Sequence, residues 1–407
     1  MKNVLLLIPT ESYRAQDFIT GAKSLGINLI IGSQKAQAMH RQMNQRTLIV
    51  NMENPERGSE QIQNAATSTK IDAIVSVDDR GLKTAALASE KLGLSHVSLA
   101  SASLTQNKIS MRKALAAAGI TQPAMVTYQP GESLEQKIYE IAGFPVVSKP
   151  ATLSGSIGVI RANSPIELSD AVEMTREIQR YHGCSDELPI IIEKYVPGSE
   201  YAVDALITDD SLKPLALFEK PIPLEGPYFA ESIYVTPSQL DPETKQRVID
   251  AVDRARRGLA INTGPIHGEI RITDQGEIYL IELAARSIGG RCSRAIPFRG
   301  GTNFEELILA EALQIKIPDY SLENQASGVL MIPVPKAGTL RSVSGLDEAK
   351  KVPWIVEIDI SATIGSDLMP IPYDNKYLGF IFAKAPSFKS AITALERAHA
   401  LLNLGIS

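Results

Sequence analysis

A chain of 407 residues, 44% of them apolar, can bury sizeable cores and divides at about 150 residues per domain into two or three. Its 46 acidic and 41 basic residues leave a net charge of -5, with no excess of positive charge to neutralise a nucleic-acid backbone, which argues against a nucleic-acid partner. The early apolar run Val4 to Ile8 is closed by Pro9, short of the ~7 residues of a signal-peptide core and the ~20 of a membrane span, so a cytoplasmic protein without a membrane partner is expected.

Over the first hundred residues, Val4 to Ile8, Asn28 to Ile31, Leu48 to Val50 and Ala73 to Val77 are predicted as buried strands. Amphipathic segments such as Gly81 to Leu92 lie between them, and this alternation predicts an open parallel sheet. The first strand runs into Pro9-Thr10-Glu11-Ser12 instead of a glycine fingerprint, so a dinucleotide site is poorly supported there, and no Walker A pattern occurs.

From Asn107 the pattern changes to a helix through Gly119, a strand at Ala124 to Tyr128, another helix, and the strand Pro145 to Lys149. Antiparallel signals follow at Ile190 to Tyr195, Tyr201 to Ile207, Leu215 to Glu219 and in a hairpin over 268–282. A third segment opens after about residue 316, with strands near Gly328 to Pro333, Ile355 to Ile360 and Leu378 to Ala383 and a closing helix from Ser387 to Leu402. Cys184 and Cys292 cannot complete a zinc site or a disulfide framework and are expected to be reduced bystanders.

The sharpest chemical signal is the pair of alternating runs His267 to Ile272 and Glu277 to Glu282 around Asp274-Gln275-Gly276. A two-residue loop at Gln275-Gly276 sets Glu269 opposite Glu282 on one face, with Cβ atoms ~5 Å apart, where like charges repel unless a cation intervenes. Magnesium resolves that conflict; two solvated acids on an exposed hairpin is the alternative. A second signal is Lys149 at a strand end, before the loop Ser154-Gly155-Ser156-Ile157-Gly158, whose glycines let backbone amides approach an anion. A plain surface turn fits that loop by itself.

A third signal is the apolar strand Ile190 to Ile192 leading through Glu193, Lys194, Tyr195 and Val196 to Glu200. Its backbone could read an adenine edge and Glu200 a ribose. Lys108, Lys220, Glu231, Arg286 and Arg291 are further candidates, and arginines just past an acid-bearing strand suit a substrate carboxylate because the guanidinium fork grips two oxygens.

Together these motifs resemble the ATP-grasp superfamily of carboxylate–amine ligases across nearly the whole chain. The implied fold combines α/β and α+β parts: an N-terminal open parallel-sheet domain over 1–105, an ATP-grasp nucleotide- and metal-binding domain over 106–315, and a C-terminal α+β domain over 316–407. The resemblance implies that Lys108 and Lys149 contact ATP phosphates beneath a mobile lid of Ser154 to Gly158. It sets adenine near Glu193, Lys194, Tyr195 and Val196, ribose at Glu200, and Lys220 near the terminal phosphate. Glu269 and Glu282 would bind Mg2+, with Mn2+ able to substitute.

The segment Glu225 to Glu231, the run Glu282 to Arg286 and the tail Tyr377-Leu378-Gly379-Phe380 are most similar to L-amino-acid ligases. That likeness implies small-molecule carboxylate and amine substrates held around Arg286, Ser287, Gly289, Gly290, Arg291, His267 and Glu231, with Arg286, Lys149 and Lys220 catalytic, and it allows a homodimer. One departure is Ala284, where many relatives carry an asparagine metal ligand; the likeness implies that water or Glu231 takes the place of the lost oxygen. Tyr234 stands where some of those ligases have histidine. The expected reaction joins amino acids, or an amino acid and a small acid, into an amide through an acyl phosphate. Its rivals are a ligase of carboxylase or nucleotide-biosynthetic type using bicarbonate or formate, and a nucleotide-binding regulator without turnover.

Overall fold

The computed structural model describes residues 1–10, 12, 14–35 and 46–407; Glu11 of the first turn lies outside the described residues. The short apolar runs at the start of the chain become the parallel strands Asn3–Leu7, Asn28–Ser33, Arg46–Ile49 and Ala73–Ser76, with Asn3–Leu7 between Asn28–Ser33 and Ala73–Ser76. Helix Ala15–Leu25 packs on this sheet through Phe18, Ile19 and Ala22. Gly21 lets it cross helix Phe304–Ala312 closely, because a Cβ there would stand 2.8 Å from the Glu306 backbone nitrogen.

Helix Asp79–Leu92 begins at Asp78, whose side chain accepts from the Arg80 amide and so satisfies one of the open donors of the first turn. Helix Lys108–Ala117 starts at Asn107 in the same way. Both caps fix where the chain enters the cleft described below.

The centre is an eight-stranded antiparallel sheet in the order Ile278–Ala284, Gly264–Ile272, Ser199–Thr208, Ser211–Lys220, Ile233–Thr236, Ala326–Ile332, Gly379–Ala385 and Ile355–Ile360. Strand Ile233–Thr236, absent from the sequence expectations, joins residues before and after 316 into one sheet. Strict alternation along Ser199–Thr208 gives the sheet two faces. Val203, Ala205 and Ile207 pack against Val248, Val252 and Ala255 of helix Pro242–Gly258, while Ala202 and Leu206 face helix Phe304–Ala312 and the N-terminal sheet.

A separate four-stranded sheet, Met125–Tyr128, Ile190–Lys194, Val146–Pro150 and Ile160–Ala162, is backed by helix Pro165–Tyr181 and overhangs the central sheet. In the last part of the chain, Asp367–Leu368, Gly338–Ser344 and Asn403–Ile406 form a small sheet, and helix Phe388–Ala400 covers the central one. Among the described residues no helix is long and apolar enough to cross a membrane.

Candidate active site

A cleft of about 900 Å³ opens between the overhanging sheet and the central sheet, with the N-terminal segment closing one end. Its floor is set by strand register. Lys220, Glu200 and Arg271 are directly paired across three neighbouring strands, and the next row on that face carries Glu269 beside Glu282.

The Glu269–Glu282 pairing is reached by a different path from the two-residue loop expected. Ile272 pairs with Ile278 and Thr273 N donates to Glu277 O, so three residues, Asp274 to Gly276, form the turn, with Gly276 at φ 76°. That register alone would put Glu269 opposite Ile281. A bulge between Glu269 and Ile270 restores the alignment and puts the two carboxylate strands level.

Lys220 is the charge centre of the floor. Its Nζ lies 2.6 Å from Glu200, 2.5 Å from Glu231 and 3.1 Å from Glu269, and 5.0 Å from the Tyr234 ring centroid. Burial opposes its charge, but the three carboxylates outweigh it and raise its pKa well above that of a free lysine. Burial likewise opposes the Glu269 charge, yet Lys220 and His267 hold its carboxyl well below the usual range, whereas burial and the Glu269 charge leave Glu231 raised.

The oxygens of Glu200, Glu231 and Glu269 approach within 4.8 Å of one another. Glu282 instead faces Lys108, 3.4 Å away. His267 spans Asp204 at 3.3 Å and Glu269 at 3.4 Å; burial is overcome by those acids and its pKa rises to about 9. Carboxylate oxygens are the donors a hard divalent cation takes, but here the Lys220 ammonium sits among those of Glu200, Glu231 and Glu269.

On the opposite wall, Lys149 Nζ lies 2.6 Å from Glu193, which also receives Arg112 Nε at 2.7 Å. Burial would raise the Glu193 carboxyl, but the two cations hold it at about 2. The Glu193 side chain is therefore committed to fixing Lys149, and Lys194 Nζ is committed to the carbonyls of Ala142, Gly143 and Phe144. Tyr195 and Val196 line the cleft next to them. Glu200 gives one oxygen to Lys220 and the other to Arg271 Nε, 2.8 Å away. Lys108 Nζ reaches the Leu153 carbonyl at 2.7 Å, tying the base of the glycine loop to the start of its helix.

At the far end Arg286 is held on the wall by Asp79, 2.9 Å from its Nε, with Asp78 beside it and Gly289 and Gly290 nearby. Three expected substrate or lid residues lie off the cleft wall. Ser287 accepts from Arg14, Arg291 is drawn to Asp359 of the C-terminal edge strand, and Gly158 sits behind the loop against Pro150. Ala284 does line the cleft, opposite His267, and the near-lying acid on that floor is Glu231. Tyr234 is buried edge-on to Phe218 with Lys220 over its face.

Sequence reasoning missed Arg112, Arg271, Asp204 and Asp79. Arg271 was accessible, since it shares a strand face with Glu269 at a spacing of two. Asp79 meets Arg286 across 207 positions, and no local pattern announces that.

Models of three domain families match the chain: the ATP-grasp N-terminal domain over 19–96, the ATP-grasp domain over 142–295 and the L-amino acid ligase C-terminal domain 2 over 330–407. The chain carries an ATP-grasp domain together with an ATP-grasp N-terminal domain. Its fold is the ATP-grasp fold with an N-terminal parallel sheet, and it superposes on an L-amino acid ligase from Bacillus licheniformis with a TM-score of 0.85 at 24% identity, covering 100% of this chain and 99% of that one. The alanine–anticapsin ligase of Bacillus subtilis is 28% identical over 266 residues, 61% of this chain and 56% of that protein. The L-arginine-specific L-amino acid ligase of Bacillus subtilis is 23% identical over 71% of this chain and 69% of its own length. This ATP-grasp chain thus spans little more than half the length of the alanine–anticapsin ligase.

Proposed function

We propose that this ATP-grasp protein is an ATP-dependent ligase that joins amino acids, or an amino acid and a small acid, through an acyl phosphate, releasing ADP and phosphate. The observation that carries the reading is one cleft holding paired acids, Glu269 and Glu282, between the lysines Lys108 and Lys149 and the Asp79-anchored Arg286. Lysines on one side and arginine on the other suit a nucleotide phosphate and a carboxylate meeting over the acids.

The carboxylate substrate, gripped by Arg286, attacks the terminal phosphorus of ATP, breaks its bond to the bridging oxygen and displaces ADP, while Lys108, Lys149 and Lys220 neutralise charge that grows on the phosphate oxygens. Glu269 and Glu282, with Glu231 in reach, would hold magnesium, which would supply further neutralisation of those oxygens. An amine then attacks the acyl carbon, loses a proton and displaces phosphate. The backbone near Tyr195 and Val196 takes the adenine and Glu200 the ribose. The residues Ser154, Gly155 and Ser156 cover the phosphates and exclude water.

A phosphate-release screen over pairs of amino acids tests the reading, with the amide detected by mass. The expected result is ADP formation that requires both partners. ADP formation that requires bicarbonate instead would assign the same cleft to carboxylation, and nucleotide binding without ADP formation would leave it a regulator.

A further inference from the structure

Beyond the cleft acids, the C-terminal segment makes contacts that the catalytic scheme does not use. Between strands Ile355–Ile360 and Gly379–Ala385, residues 370–377 leave the C-terminal sheet and reach across the cleft mouth to the overhanging subdomain. The Pro372 carbonyl accepts from the Gly158 amide at 2.9 Å. The Tyr373 carbonyl accepts from the His182 ring at 2.7 Å, and its ring meets Tyr181 edge-on, 6.3 Å between centroids. Asn375 lies against Gly155: a Cβ built on that glycine would come 1.9 Å from the Asn375 amide nitrogen. Gly155, at φ 64°, is thus fixed as glycine both by its backbone and by its neighbour. The same segment lines the cleft at Asp374 and Asn375.

We infer that Tyr373 and Asn375 are positioning residues for the glycine loop: the C-terminal segment sets the closed position of Ser154–Gly158 and thereby protects the acyl phosphate from water. This inference rests on the ligase reading for the intermediate but on geometry alone for the loop. Protection matters because water can attack the acyl carbon, break its bond to the phosphate oxygen, and return free carboxylate and phosphate with loss of a proton. ATP is then consumed without amide. The contacts span three points on the overhanging subdomain, namely Gly155, Gly158 and the end of helix Pro165–Tyr181, so they limit rotation as well as translation of the loop.

The test uses the full chain with Tyr373→Ala and Asn375→Ala, singly and combined, with two readouts. Hydrogen exchange at the Gly155 to Gly158 amides is expected to quicken about tenfold in the double variant, equivalent to about 1.4 kcal/mol of lost closure. The phosphate-to-amide ratio is expected to climb severalfold above that of the unaltered chain. Unchanged exchange overturns the positioning role. Faster exchange with an unchanged ratio overturns the protective one. Faster exchange in a chain whose unaltered form makes no amide supports the loop contact and sinks the ligase reading alone. A partial return of slow exchange with Asn375→Gln, whose amide can still reach Gly155, argues for a specific contact over general loosening.

Discussion

On the floor of the cleft, Lys220 bridges Glu200, Glu231 and Glu269, Arg271 takes the second Glu200 oxygen and His267 shares the Glu269 oxygen that Lys220 holds, so all of these charges but Glu231 sit on adjacent strands of one sheet. The roof is held differently. Ser154 to Gly158 is a turn fixed through backbone atoms, by Lys108 at the Leu153 carbonyl, by Thr175 at the Gly158 carbonyl and by the Pro372 carbonyl. The floor is pre-organised charge and the roof is a loop pinned at its backbone. That division suits a reaction needing fixed neutralisation of phosphate oxygens and also entry of three substrates.

The strongest test of the contrast is Glu193→Ala, because Glu193 sits in the roof subdomain yet is built like the floor. Removing it leaves Arg112 and Lys149 facing each other in a buried place, and unfolding stability should fall by about 3–5 kcal/mol in a denaturant titration. The sign with pH follows from the depressed carboxyl, about 2 against an ordinary 4.5. The contribution is complete above pH 4.5 and vanishes as pH falls through 2, so the gap between the parent and Glu193→Gln should close over that window. A gap that widens on acidification would overturn the pairing.

Next in size, Glu282→Ala should lower amine-dependent ADP release on the order of a hundredfold or more with circular dichroism unchanged. Turnover at the parent rate would remove the acids from the chemistry. Arg286→Lys trades a fork for a point charge, and the KM for the carboxylate substrate should rise roughly tenfold with the KM for ATP held. A matched rise in both would make Arg286 a general support of the cleft. Smallest is Lys194→Ala, which frees the carbonyls of Ala142 to Phe144 and should cost about 1–2 kcal/mol of stability with kcat intact.

Much of this was legible in the sequence. Lys149 at a strand end, the glycines after it, and the two alternating runs bearing Glu269 and Glu282 are local patterns, and local patterns survive folding. The hairpin shows the limit, since a longer turn and a bulge cancelled and gave the expected pairing by another path. Partners far apart in the chain stayed hidden: Glu193 with Arg112, Arg286 with Asp79, Gly158 with Pro372. Arg291 read as a substrate residue because it follows the acid-bearing strand, and Ser287 through the likeness to L-amino-acid ligases, but the chain turns there, and Asp359 and Arg14 take them.

Transfer of oxygen from the substrate carboxylate to phosphate is the test of the proposed acyl phosphate. With the substrate carboxylate labelled in 18O, an acyl phosphate yields phosphate carrying one labelled oxygen for each amide formed. Unlabelled phosphate, with both labelled oxygens kept by the acid or its amide and water, would contradict it.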